Sequence, residues 1–283
     1  DGMRMSNSTI PEGLCIPCAE SKMTKLPFPS SARSATSKGE LVHVDLQGPA
    51  PELSRQGNLH VVMFVDDHTR FSHVYFIKQR GDVHSAFTQF LNDSEINPAT
   101  CTVRIDNAPE LEASVEQLGF KPPEITCPYT PEQNGVAERA LTTMTADVIA
   151  MLSAAKLPTE MWEDAARHAV RVRNRLPKAG TDVTRFQAWY GSRPDVQHLR
   201  TFGCHAVILN PKETRAHKLT PRGTSVIHLG FAKNHKGYLF LDPTTYQEVV
   251  SRHARFDETK AGGLLLKELD DREGDDLDED YVD

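Results

Sequence analysis

The chain has 283 residues, 39% hydrophobic and 25% charged, which leaves room for two small domains. No run approaches the ~18 apolar residues of a membrane-spanning helix, and five cysteines, only two of them close together, argue against a disulfide scaffold and fit a reducing compartment. The formal charge of −7 hides three electrostatic segments: 12 Lys and Arg against 19 Asp and Glu in residues 1–155, 18 against 10 in 156–260, and 2 against 10 in 261–283.

Residues 1–40 are rich in Ser, Pro and Thr and read as extended or loosely ordered. Within them Cys15-Ile16-Pro17-Cys18 has metal-ligand spacing, but a closed zinc site needs two more ligands and no His precedes His43. Leu41–Leu46 alternates like a strand. Leu59–Val65 is almost wholly apolar, as a central strand would be. Asp66–Arg70 is turn-like, and Phe71–Ile77 completes a hairpin. Asp66 and Asp67 are rival carboxylates that a turn beside two strands explains. Gly81–Asn92 has helical spacing at Val83, Phe87, Phe90 and Leu91. Cys101–Ile105 is a fourth strand, Leu111–Leu118 a short helix ended by Gly119, and Ile125–Cys127 a fifth strand.

Pro128-Tyr129-Thr130-Pro131 then leads into a long helix with Val136, Ala140, Met144 and Val148 in one apolar row. Glu138 lies off that row, four residues after Asn134 and three before Leu141. A second helix is expected over Thr159–Leu176, with its arginines largely off its apolar side. A helical turn follows at Phe186–Tyr190. Short strands then dominate, at His205–Leu209, Ser225–Leu229, Gly237–Leu241 and Glu248–Ser251, with Phe256 beyond. Their regular spacing and turn residues suggest a small β-barrel. Lys212, Arg215, Lys218, Arg222, Lys233 and Lys236 fall mostly in its turns, where basic side chains suit non-specific phosphate contacts. Residues 268–283 are almost entirely acidic or small and are expected to be disordered.

Three carboxylates stand out against this pattern. Asp45 and Asp106 each end an apolar run, with sixty residues between them, and Glu138 follows Asp106 after 31 intervening residues, on a helix. Two strand-end Asp and one helical Glu make an all-oxygen set that suits Mg2+ or Mn2+ and not zinc. A pair of such ions can activate an attacking hydroxyl and stabilise a leaving oxygen in phosphoryl transfer. No Gly-rich phosphate loop and no Gly-x-Ser-x-Gly elbow competes with this reading.

The segments Val44-Asp45-Leu46-Gln47-Gly48-Pro49, Arg104-Ile105-Asp106-Asn107, Pro128 through Arg139, Phe202-Gly203-Cys204 and Leu229-Gly230-Phe231 carry a resemblance. The chain resembles the integrases of copia-type LTR retrotransposons, within the retroviral integrase and DDE transposase superfamily, from about Leu14 to Glu258. The resemblance implies an α/β ribonuclease H-like core, a mixed five-stranded sheet with helices, followed by a small β-barrel-like module. It implies residues 1–26 as the remnant of an N-terminal zinc-binding region, 27–195 as the catalytic core, 196–260 as the β-rich module and 261–283 as an acidic disordered tail. Asp1 opens the chain, which reads as a piece of a longer Pol polyprotein. In the family a His pair upstream completes the zinc site, so Cys15 and Cys18 are expected to be half of one and to hold zinc only if that pair is present.

What the resemblance implies for function is metal-dependent DNA strand transfer, with Asp45, Asp106 and Glu138 holding two Mg2+ or Mn2+ ions. Asn134 and Arg139 are candidates for shaping the site or touching phosphate. Arg167, Arg171, Lys212, Arg215 and Lys218 are candidate nucleic-acid contacts. Double-stranded DNA, a homo-oligomeric assembly, no membrane association, and action in the nucleus after cytoplasmic synthesis complete the expectation. One departure stands out. The family's Asp-Asn-Gly-Gly-Glu-Phe is here Asp106-Asn107-Ala108-Pro109-Glu110-Leu111, in a segment about four residues shorter before Gly119. It motivates a rival reading, a weak or inactive relic or host-adopted copy that binds nucleic acid without cutting it. A second rival is a ribonuclease H-like nuclease that does not join strands; the Pro128–Arg139 stretch favours integrase over it.

Overall fold

Strand β1 (Leu41–Gln47), β2 (His60–Asp66) and β3 (Ser72–Ile77) form an antiparallel meander. β4 (Thr102–Ile105) and β5 (Glu124–Ile125) add parallel to β1 on its other side, in the order β3-β2-β1-β4-β5. Every residue of β2 is buried, which is why its sequence is a continuous apolar run. A parallel neighbour needs a crossover, and helices α1 (Val83–Ser94) and α2 (Pro109–Gln117) supply those before β4 and β5. These elements come from a computed structural model that describes residues 34–126, 134–211, 213, 215–233 and 236–268. The Cys15–Cys18 pair and the whole Pro128–Gln133 run lie outside the described residues, as do Cys127, Lys212 and residues 269–283.

The sheet has two apolar faces. On one, Val42, Val44, Val62 and Phe64 meet Val83, Phe87 and Phe90 of α1 and Leu111 and Val115 of α2. Phe64 stacks on Phe90 at 4.4 Å between ring centroids and meets Phe87 edge-on at 4.9 Å, geometries aromatic pairs prefer. On the other face Val61, Met63 and Val65 meet helix α3 (Gly135–Ala155) and helix α4 (Trp162–Asn174). The buried stripe of α3 is Ala137, Leu141, Met144, Val148 and Leu152. It is rotated from the row read in the sequence: Val136 and Ala140 are partly buried, and Leu141 belongs to the core. A short helix α5 (Arg185–Tyr190) follows, and its Trp189 stacks on Phe71 at 5.2 Å.

Strands β6 (Cys204–Leu209), β7 (Gly223–Phe231), β8 (Tyr238–Leu241), β9 (Glu248–Ser251) and β10 (Ala254–Ala261) make a second, wholly antiparallel sheet in the order β10-β6-β7-β8-β9. The expected barrel is not closed. β9 and β10 sit at opposite edges although only Arg252 and His253 join them, so the sheet curls strongly, yet no ladder pairs those two strands among the described residues. Ala206, Ile208, Val226 and Phe240 gather as a small core of this sheet. Ile227, Leu229 and Leu241 join the core of α3 and α4 instead. From Ser34 onward the chain is one compact unit, and no gap in the core falls at residue 195 or 196.

Two further features close that seam. Gly203 has φ +66°, and a Cβ there would lie 2.3 Å from the Ala155 Cβ at the end of α3. The fully buried Glu163 accepts from Ser54 Oγ at 2.7 Å and Asn58 Nδ2 at 2.8 Å and pairs with Arg167, while Arg55 bridges Asp164 at 3.2 Å and Glu248 of β9 at 2.6 Å. The ordered region also runs past residue 260. β10 ends at Ala261, residues 263–268 are helical, and Leu265 and Leu266 pack on the shared core. The expected tail is therefore shortened from its start, because these leucines have apolar surface to bury.

Asp66 and Asp67 have structural work. Asp66 accepts from Gly39 N, Thr69 N and Thr69 Oγ1. Asp67 accepts from Ala35 N at 2.8 Å, ion-pairs with Arg70 Nη2 at 3.2 Å, and its Oδ1 lies 3.0 Å from His43 Nε2. Burial opposes ionisation of Asp67, but His43, the Ala35 N–H and Arg70 outweigh it and hold its carboxyl well below the usual carboxylate range. A depressed folded-state pKa stabilises the fold above the unfolded value of about 3.9, and that stability fades as pH falls through the folded value. We predict that Asp67→Asn lowers unfolding free energy by about 2 kcal/mol at pH 7. In urea titrations the deficit should persist at pH 5 and shrink steadily below pH 4.

Candidate active site

β1 and β4 pair in parallel with Leu41 beside Thr102, Val42 beside Val103 and His43 beside Arg104. Carrying that register two residues further sets Asp45 beside Asp106, the first residue after β4. Neighbouring strands lie about 4.8 Å apart, so the two backbones present their Asp residues side by side. Asp106 directly follows Ile105, which pairs with Ile125 of β5. The Ala108-Pro109 departure leaves that pairing intact: Ala108 is extended (φ −95°, ψ 117°) and Pro109 is the first residue of α2, where its missing N–H and fixed φ are tolerated. The helix simply starts sooner, and Leu111 anchors it in the core.

Glu138 enters from above the sheet, in the first turn of α3, and its side chain is exposed. Asn134 holds that turn in place. Its side chain is buried, and Nδ2 donates to the Val44 carbonyl at 3.1 Å, one residue before Asp45. Its own carbonyl accepts from Ala137 N at 3.1 Å and Glu138 N at 3.3 Å. One residue thus joins the strand of Asp45 to the turn of Glu138. Thr145 Oγ1 adds a weaker tie to Gln47 Oε1 at 3.4 Å. Gln47 was legible only as part of the Val44–Pro49 motif.

Asp45 lies within electrostatic reach of the other two carboxylates. Burial lifts the Asp45 carboxyl to about 6; the Leu46 N–H, which donates at 2.9 Å, pulls it back, and the negative fields of Asp106 and Glu138 push it up again. Among the described residues no three His, Cys, Asp or Glu side chains close on a common point. Asp106 and Glu138 thus both act on Asp45, and the three are not drawn into a ligand shell. The donor chemistry fits a hard divalent cation: three carboxylate oxygen groups, with no Lys or Arg salt bridge to any of them among the described residues.

The other candidates are spread more widely. Arg139 is exposed on α3. Arg167 pairs with the buried Glu163 and lies over the Phe76 ring at 4.9 Å. Arg171 lies over Phe231 at 3.8 Å. Both thus have partners within the fold. Lys218 is exposed beyond β6, and Arg215 Nε donates to the Pro211 carbonyl at 3.4 Å.

Comparison with known proteins adds to this geometry. Residues 204–266, which hold all five strands of the second sheet, match the retroviral polymerase SH3-like domain. Over 251 residues the chain is 32% identical to the retrovirus-related Pol polyprotein from transposon RE1 of Arabidopsis thaliana, covering 86% of this chain and 17% of that protein. It is 31% identical over 255 residues to the corresponding polyprotein from transposon TNT 1-94 of Nicotiana tabacum, covering 87% of this chain and 19% of that one. The chain belongs to the retrovirus-related Pol polyproteins of transposons. It spans less than a fifth of the length of these relatives. Solved structures with partial likeness include a simian T-cell lymphotropic virus intasome (16% identity, TM-score 0.47, 79% of this chain and 80% of that one) and the HTLV-2 integrase catalytic core domain with magnesium (17%, TM-score 0.43, 56% and 100%).

For this Pol segment the Asn134 strut makes a specific prediction. Asn134→Ala should cost about 1–3 kcal/mol, because it leaves the buried Val44 carbonyl without its donor. Asn134→Asp should cost more, since a carboxylate cannot donate and adds a fourth negative charge beside the cluster. Urea midpoints of the three proteins at pH 7 should fall in the order wild type, Asn134→Ala, Asn134→Asp.

Proposed function

We propose that this chain is the core of a transposon integrase, a polynucleotidyl transferase that joins the 3′ ends of element DNA to target DNA. The observation that carries the reading is the Asp45 carboxyl, which is pushed up by both Asp106, just beyond the strand parallel to its own, and Glu138, on a helix tied to its own strand. Kinship with transposon Pol polyproteins supports it.

In this reading Asp45, Asp106 and Glu138 hold Mg2+ or Mn2+, which when bound lowers the pKa of the attacking hydroxyl and neutralises the leaving 3′-oxygen. The chain's own contribution is placement. β1 and β4 fix the spacing of Asp45 and Asp106, and Asn134 fixes the height of Glu138 above them. Such preorganisation matters because displacements of about 1 Å can cost on the order of 10²-fold in rate. Arg139, exposed one residue beyond Glu138, reaches substrate phosphate. Basic turns of the second sheet, among them Lys218, add sequence-independent phosphate contacts. The substrate is double-stranded DNA, handled by an oligomer of this chain. The site of action is the nucleus, after synthesis within a polyprotein.

The test is strand transfer of a labelled 3′-hydroxyl duplex into supercoiled plasmid, with Mg2+ and with Mn2+. Wild type should yield joined product, and Glu138→Gln should lose it by roughly 10³-fold, the scale on which electrostatic catalytic groups act. Circular dichroism of Glu138→Gln should match wild type, as its exposed position requires. Plasmid nicking without joining would instead identify a nuclease. DNA binding with no product in either metal would identify an inactive relic.

A further inference from the structure

β3 is an edge strand, and part of its edge is open. The Phe71 carbonyl accepts from Asp66 N, so odd-numbered peptides of β3 face β2 and even-numbered ones face outward. At Ser72 the side chain of Asn174 stands in for a neighbouring strand: Oδ1 accepts from Ser72 N at 2.9 Å and Nδ2 donates to Ser72 O at 2.8 Å. The next outward peptides, at Val74 and Phe76, have no backbone partner among the described residues. A groove of about 570 Å³ runs along this edge.

Its walls differ in charge. Helix α4 runs antiparallel to β3, with Asn174 at Ser72 and Arg167 at Phe76. Arg171 and Arg175 lie between and beyond these points, held over the rings of Phe231 and Phe186. The Nε atoms of both are buried without a hydrogen-bond partner, and neither side chain has an acidic partner among the described residues. Exposed Lys233 adds a third cation to the same wall. The opposite wall carries Gln89 and Asp93 of α1, with Asp93 accepting from Tyr75 Oη at 3.0 Å.

We propose that this edge is a docking groove for an extended acidic segment of a partner protein, which adds to β3 as a further strand. Strand addition satisfies the donors and acceptors of Val74 and Phe76 together. Alternate side chains of a strand are spaced about 6.7 Å apart and residues one helical turn apart about 6 Å. Acidic side chains at every second position thus fall in step with Arg171 and Arg175, while the intervening ones face Gln89 and Asp93. A polynucleotide fits worse: its phosphates offer acceptors only, which leaves the outward carbonyls unsatisfied, and Asp93 repels them. The groove lies beyond α4, away from Asp45, and the inference stands apart from the chemistry proposed above.

Fluorescence anisotropy with the 283-residue chain tests it, using a blocked, labelled nonapeptide of alternating threonine and glutamate. Saturable binding is expected. Lys233→Glu and Arg175→Gln should each weaken it about five- to tenfold, the scale of one charge-assisted contact. N-methylation of alternate peptide nitrogens keeps every charge but blocks strand pairing, and should weaken binding at least as much. Lys233 is exposed, so its variant keeps the fold, and circular dichroism verifies this for both. Three results would overturn the proposal: no saturable binding, equal binding of the N-methylated peptide, or tighter binding of a labelled oligothymidine that the same two substitutions abolish.

Discussion

The hydrogen bond from the Asn134 amide to the Val44 carbonyl ties the first turn of α3 to the middle of the sheet. The carboxylate arrangement depends on it. Strand pairing alone brings Asp45 beside Asp106, since that needs only the parallel register of β1 and β4. Glu138 comes from a different layer, and its height depends on how α3 is seated on the sheet. Asn134 secures that seating twice over, with its side chain on β1 and its carbonyl on the Glu138 N–H. Being buried, that amide has no water to replace a lost partner, so the tie is costly to break.

The second sheet is built onto the core, not beside it. Ile227, Leu229 and Leu241 complete the apolar cluster of α3 and α4, and Gly203 lets the chain pass against Ala155 where any side chain would collide. Buried Glu163 and Asp164 at the start of α4 collect Ser54, Asn58, Arg55 and Arg167 around them, and Arg55 reaches Glu248 of β9. Buried charges are tolerated only when paired in this way. The helix that scaffolds Glu138 is thereby braced from both sides, by the first sheet and by the second.

Much of this is legible in the sequence where one physical rule dominates. The continuous apolar run of β2, the alternation of β1 and the capping prolines each point to one local structure, and the strand-end aspartates follow from the strands. Legibility fails where tertiary context decides. Met144 and Val148 of the expected row are buried in α3, but Ala137 and Leu141 take the places of Val136 and Ala140, because all four are apolar and only packing chooses among them. The second sheet has the strand spacing of a barrel, but whether its edges pair depends on curl, which spacing does not encode. Arg167 and Arg171 carry charge that suits phosphate as well as it suits a buried Glu or an aromatic face, so composition could not divide them. Ala108-Pro109 looked disruptive against a Gly-Gly pattern, yet a proline one residue after an extended alanine is an ordinary helix start.

The central claim is that Asp45, Asp106 and Glu138 act as one cation site, and calorimetric titration of Mn2+ into the folded chain at pH 7 tests it most directly. Wild type should bind Mn2+, and Asp45→Asn, Asp106→Asn and Glu138→Gln should each weaken binding at least about tenfold, because each removes a charged oxygen ligand. Identical titration curves for all four proteins would contradict the account.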